Sequence, residues 1–193
     1  MHPRVSSSIL VAGATGVVLA ALTAKGKLTL DVGWGRSRHA LGPVVITIAA
    51  PRELVYEQLA SPYLSRTPRA LRTSLEVLDR GTDLVLARHY SDVGPFIAET
   101  VETVGFEPPR RITFRHVRGP VPYAVEEFVL DGDGDVTDLT YRGELGIDFW
   151  LLGRAAAKVV APTWERVVMD HLYEVKAAVE RRAQSRARRA DMR

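Results

Sequence analysis

The residues best suited to chemistry in this 193-residue chain are Arg88, Tyr90, His116, the pair Glu126 and Glu127, and Tyr141. A histidine or a buried glutamate moves protons near neutral pH, and a tyrosine hydroxyl orients a carbonyl or a head group. An arginine taken out of water requires an anionic partner, because a lone buried charge is prohibitively expensive. Arg88 is therefore expected to pair with Glu126 or Glu127. Trp164 adds a broad apolar surface beside them. The stronger catalytic signatures are absent: there is no G-x-S-x-G elbow, H-E-x-x-H pair, P-loop or cluster at metal-ligand spacing. The chain has no cysteine, which excludes disulfides, thiolate nucleophiles and cysteine zinc sites. No catalytic residue is assigned, and no metal or cofactor is expected.

Two decoys fall to the same test of spacing. The turn Asp131 to Asp135, DGDGD, resembles the start of a calcium loop, but Val136 and Arg142 stand where an EF-hand needs glycine and glutamate. A hairpin turn is the reading. Ile9 to Gly16, ILVAGATG, imitates a dinucleotide fingerprint, but Leu19 occupies the place where helix and strand must pack closely.

The elements that position the candidates follow from hydrophobic period. Val44–Ala49 reads as a strand. Pro51 opens a helix over Arg52–Ala60, and Pro62 stops or tilts it. Strand segments then recur at roughly ten-residue spacing, the mark of an antiparallel meander. They are Ser74–Asp79, Leu84–Tyr90, Ile97–Val104, Arg111–Val117, Tyr123–Leu130 and Val136–Ile147. Alternation gives each side chain a face. Ile112 and Phe114 carry His116 inward, Leu139, Leu145 and Ile147 carry Tyr141, and Leu84 and Leu86 carry Arg88 and Tyr90. Either register of the sixth segment sends one of Glu126 and Glu127 inside. From Asp148 the period becomes helical, with Val160, Trp164, Val168, His171, Val175 and Val179 on one stripe. Pro162 is expected to kink or restart that helix, leaving Asp148 to Val160 as a separate turn.

This order resembles the SRPBCC superfamily, which includes START-type lipid-transfer proteins and polyketide cyclases. The resemblance lies in the opening GPVVITIAAPRELVYEQLASPY, the meander and the final helix around Trp164, over residues 42–183. It implies an α+β helix-grip fold, a curved antiparallel sheet wrapped around a long C-terminal helix, with an apolar ligand between them. The ligand-binding set is then Arg88, Tyr90, His116, Glu126, Tyr141 and Trp164.

Ahead of that domain lie 20 uncharged residues, Val5 to Ala24, enough for a helix of about 30 Å, the thickness of a hydrocarbon core. A transmembrane helix is expected there, within an anchor at residues 1–27, with a cleaved signal peptide as its rival. Ser8, Ala12, Gly16 and Ala20 form a small-residue stripe through which two such helices could form a homodimer. Residues 28–41, with glycines and a short strand at Leu28–Val32, read as a linker. Lys25, Lys27, Arg36 and Arg38 follow the span and only Arg4 precedes it, which places the domain on the cytoplasmic side. Residues 176–193 hold seven of the 26 basic groups and two of the 23 acidic ones, so the remainder has a net charge of −2. Basicity concentrated in the tail, residues 184–193 especially, suits an anionic lipid surface, and nucleic acid is not expected as a partner.

Three functions compete. A membrane-anchored binding or transfer protein needs a cavity for a small hydrophobic ligand (a lipid, an isoprenoid or quinone, or a polyketide-like molecule). A polyketide cyclase or dehydratase needs the same cavity and one acid–base group. A non-catalytic interaction module needs neither. The uncharged span favours the binding protein.

Overall fold

The computed structural model describes residue 19 and residues 21–64, 74–93 and 96–192. Strand β1 (Ser37–Ile48) leads into helix α1 (Arg52–Leu64). Then come β2 (Leu75–Arg80), β3 (Leu84–Val93), β4 (Phe96–Glu107), β5 (Arg111–Arg118), β6 (Tyr123–Asp133) and β7 (Val136–Ile147). Helix α2 (Trp150–Asp191) ends the fold. The strands form one antiparallel sheet in the order β1-β7-β6-β5-β4-β3-β2. Short turns make β2 to β7 a meander, and β1 closes the far edge by pairing Ile46 with Leu139 and Val44 with Tyr141.

Local sequence explains most of this. Pro51 starts α1 without sacrificing a helical donor, and its carbonyl accepts from the amides of Leu54 and Val55. Asp133 pairs with Val136 across Gly134 and Asp135, so DGDGD is a tight hairpin with Gly134 at φ 64°. All six meander strands stand where alternation put them. The first strand, however, begins at Ser37 rather than Val44. Gly42 lets it do so: at φ 68° it breaks the register between Leu41 and Val44, and a Cβ there would lie 2.7 Å from the Tyr141 carbonyl oxygen. Residues 37–41, read from sequence as linker, are thus strand.

Three further expectations are corrected. Leu28–Val32 forms no strand; the Val32 and Gly33 amides instead donate to Asp148 Oδ2, each at 2.8 Å. Helix α1 continues past Pro62 to Leu64, since a proline in the last turn deprives few carbonyls of a donor. Helix α2 is continuous through Pro162. That proline is on the exposed side, where water can take the freed carbonyl. His171 keeps its place on the inward stripe, one helical repeat after Trp164, where burial and the nearby His89 push its imidazole below the ordinary range, and Leu172 fills the core beside it.

The core lies between the concave face of the sheet and the helices. Ile48, Ile112, Leu130, Leu139, Tyr141 and Leu145 from the sheet meet Ala157, Ala161, Leu172, Val175 and Val179 of α2, all buried. Leu54, Val55 and Leu59 of α1 complete it. The span predicted over residues 5–24 falls almost wholly outside the described residues, of which Leu19 and residues 21–24 are helical. No helix among the described residues is long and apolar enough to cross a membrane.

Candidate active site between sheet and helix

Two carboxylates face inward from β6 and β4, the strands on either side of β5, and each is surrounded differently. Glu126 projects from β6 toward α2. Tyr141, on β7, donates its hydroxyl to Glu126 Oε1 at 2.5 Å, and Trp164 of α2 donates its indole N–H to the same oxygen at 2.7 Å. Oε2 takes no hydrogen bond from any described residue. Burial pushes the Glu126 carboxyl up to about 7, with the nearby Glu102 charge adding to the shift and the two donors opposing it. Burial and the adjoining Glu126 likewise hold the Tyr141 hydroxyl well above its ordinary range. Tyr141 therefore remains a donor.

Glu102 projects from β4 between two imidazoles. His89 Nδ1 lies 3.0 Å from Glu102 Oε2, and His116 Nδ1 lies 3.8 Å from Oε1. Burial alone would raise this carboxyl, but the His89 and His116 rings outweigh it and hold it well below the usual carboxylate range. Behind His89, the Tyr63 hydroxyl is 3.1 Å from Nε2, completing a Tyr63–His89–Glu102 chain.

His116 is the least satisfied member. Its side chain is 1% exposed, yet neither ring nitrogen has a hydrogen-bond partner. Two features of the backbone put it there. A bulge pairs Val101 with Arg118 and Glu102 with His116, so Val117 is extra and Arg118 turns to the opposite face. Gly119 supplies the room, because a Cβ on it would stand 2.4 Å from the His116 ring. The walls are aromatic: Phe114 packs on Phe128 with centroids 5.0 Å apart, and His116 meets Trp164 at 6.0 Å. Phe114 and Trp164 remain partly exposed although they point inward, so the space between sheet and α2 is not closed by described residues.

Of the six side chains predicted for the ligand set, the fold gathers His116, Glu126, Tyr141 and Trp164. Arg88 and Tyr90 are corrected. The inward face of β3 is Val85, Ala87 and His89, so Arg88 and Tyr90 point outward. The expected pairing of Arg88 with Glu126 or Glu127 does not form: Arg88 Nη1 is 3.0 Å from Glu76 Oε2, and its Nε is 3.3 Å from Glu99 Oε1. Glu127 also faces outward, between Arg111 and Arg142. An open groove runs over that outer face past Thr103, Thr113, Arg115 and Glu127, and its Arg111, Glu127 and Arg142 are engaged in ion pairs with one another. The chemistry lies on the other side.

Sequence reasoning missed Tyr63, His89 and Glu102. Leu84 and Leu86 argued for the wrong face of β3. The usable signal was Glu102 itself, an acid flanked by Val101 and Val104 in an apolar strand that demands cationic or donor partners. Among the described residues, no group of three His, Asp or Glu side chains is arranged to hold a metal ion.

No family model and no curated protein matches this sequence. Solved structures do match in shape. The Zhui aromatase/cyclase from Streptomyces sp. R1128 superposes with a TM-score of 0.55 at 21% identity, over 80% of this chain and 98% of that one. A protein from Thermus thermophilus gives 0.57 at 19% identity, over 75% and 96%. Norcoclaurine synthase from Thalictrum flavum, solved with dopamine and hydroxybenzaldehyde, gives 0.58 at 15% identity, over 78% and 89%. At these identities the likeness is one of architecture. The likeness gives this chain the helix-grip fold, here a seven-stranded antiparallel sheet gripping a long C-terminal helix.

Proposed function

We propose that the space between sheet and α2 takes a small hydrophobic, carbonyl-bearing molecule, and that Glu126 and His116 exchange protons with its polar end. One observation supports this above the rest: two inward carboxylates of one site are pushed in opposite directions by their surroundings. That division suits paired acid and base roles. Glu126, protonated near neutrality, donates to the carbonyl oxygen through its free Oε2. His116 removes a proton from the neighbouring carbon, and Glu102 stabilises the imidazolium that results. The net change is a carbonyl converted to its enol, with the electron pair moving from the C–H bond through the new C=C to oxygen. An enol poised beside a second carbonyl of the same molecule can close a ring, which is cyclase-type chemistry and needs no redox partner. The structural neighbours include enzymes of aromatase/cyclase name, which agrees with this reading.

Native mass spectrometry of the full chain purified from a lipid-containing host, followed by addition of a polyketone, tests it. Retention of an apolar molecule and turnover abolished by Glu126→Gln is the expected result. Retention without turnover in the native chain leaves a carrier of lipid, isoprenoid or quinone. Failure to retain apolar ligands or dyes rejects both and leaves an interaction module.

The reading includes a tether. Residues 5–24 cross the membrane once and hold the domain on the cytoplasmic side, supported by the absence of charge between Arg4 and Lys25 and the excess of cations after it. Protease added outside sealed cells should leave the domain intact; digestion, or a mature chain beginning near Ala21, rejects the tether.

A further inference from the structure

One end of the molecule is apolar on its outside. β1, β4 and β6 begin there, β3, β5 and β7 finish there, and α2 starts there. The chain from Lys25 to Arg36 runs across this end. It is fixed by the Glu99 amide on the Lys25 carbonyl, by Thr29 on Gly119, and by the Val32 and Gly33 amides on Asp148. Along this strap and the adjoining tip of α2, large apolar side chains point to solvent. Val32, Trp34 and Ile97 are 58–59% exposed, Trp150 54%, Leu151 74% and Leu152 76%.

We propose that this end docks on the surface of a lipid bilayer, with Trp34, Trp150, Leu151 and Leu152 entering the boundary between head groups and acyl chains. Residue type favours lipid over a protein partner. Tryptophan beside leucine, ringed by cations, is the composition that interfacial segments carry. Lys25, Arg154 and Lys158 supply the cations; all three are exposed, and none pairs with a carboxylate among the described residues. Backbone conformation agrees. Phe149 and Trp150 both have positive φ, 73° and 44°, a region that large side chains rarely adopt. Their amides donate to the carbonyls of Trp34 and Gly35, and the Trp34 and Trp150 rings meet edge-on at 4.5 Å. The chain is thus held in an unfavourable conformation that presents aromatic rings outward, a sign of function rather than of packing. Sequence continuity adds a third argument. The uncharged stretch that ends at Ala24 joins the domain here, with Gly26 seated against the Glu99 backbone. No slack chain separates the two.

The tether proposed above would bring this end to a membrane, but docking does not depend on it, and the test separates them. The chain has three tryptophans: Trp34, Trp150 and the inward Trp164. The full chain is mixed with vesicles of phosphatidylcholine and phosphatidylglycerol whose acyl chains are brominated, and its fluorescence is compared with that over unbrominated vesicles. Docking predicts that tryptophan emission falls about twofold, and that Trp34→Phe/Trp150→Phe abolishes the quenching because Trp164 lies out of reach. Leu151→Glu/Leu152→Glu should also abolish it without moving the melting temperature, since both side chains are exposed. Sedimentation with the vesicles reports the tether. If both wild type and the glutamate variant sediment but wild type is not quenched, the tether stands and docking is overturned. If wild type sediments with quenching and the variant stays in solution, docking stands and the tether falls. A lipid-free dimer that shields Trp34 and Trp150, with no quenching by brominated vesicles, overturns docking in favour of a second copy of the chain.

Discussion

Glu126 stores a pH dependence that a melting curve can read. Its folded carboxyl titrates near 7, above the ordinary 4.5, so the folded state holds the proton more tightly than the unfolded chain does. The stability this provides is complete below about 4.5 and is lost as pH rises through about 7. Glu126→Gln keeps the shape but cannot ionise. The variant should therefore melt higher than wild type at pH 8, and the gain should shrink toward pH 5. A pH-independent difference would show that Glu126 ionises freely. Glu102 works in the opposite direction: its carboxyl is depressed, so its contribution is present above the unfolded value and disappears as pH falls. Glu102→Gln leaves two inward imidazoles without their anion. It should cost about 3 kcal/mol near neutrality, measured by denaturant unfolding, as expected for removing one partner of a buried pair.

At the scale of the element, the phase of α2 decides which residues matter. Leu172 is fully buried between Val168 and Val175 on the stripe, whereas Tyr173, one position later, is exposed. A helix advances by about 100° per residue, so one position separates core from solvent. Leu172→Ala should cost about 2–5 kcal/mol, while Tyr173→Ala should change stability by less than about 0.5 kcal/mol. Equal effects in chemical denaturation would place the helix in the other phase. The same sensitivity operates in β3, where a one-residue shift exchanges every inward side chain for an outward one. Arg88 and Tyr90 were displaced by His89 through that shift, and the outward pair now serves Glu76 and Glu99.

For the whole molecule, the strap from Lys25 to Arg36 is part of the fold. Asp148, 1% exposed, receives the Val32 and Gly33 amides and the Arg36 Nε at 2.8 Å. The hydrogen bond from Arg36 holds its carboxyl below the ordinary range. On the outer face the buried Glu99 binds Lys27, Arg88 and Arg118, so the strap is pinned at both ends. Asp148→Asn should free the Val32–Arg36 side. We expect amide exchange at Val32 and Gly33 to accelerate at least about tenfold while amides of β6 and β7 remain protected, with an overall loss of about 2–3 kcal/mol. Unchanged exchange at those two amides would mean that other contacts hold the strap.

The sequence by itself determined the order of elements. Turn chemistry and period are local, so the six strands of the meander, the proline-started helix and the long final helix were legible, and so was the inward face of β5 and β7 around His116 and Tyr141. It also placed Glu126 and Trp164 among the site residues. Tertiary structure decided everything that depends on which strand lies beside which. The face of β3 follows from its ladder with β4, not from its leucines. The partners of Glu102, His89 and His116, come from the flanking strands β3 and β5, and only the ladder registers bring their rings to it. Arg118 turns outward because of a bulge that no local pattern records. The upward shift of Glu126 requires burial, which exists only after α2 closes over the sheet. Periodicity assigns a residue to a face, but the electrostatic character of a site is a property of the space that several elements enclose together.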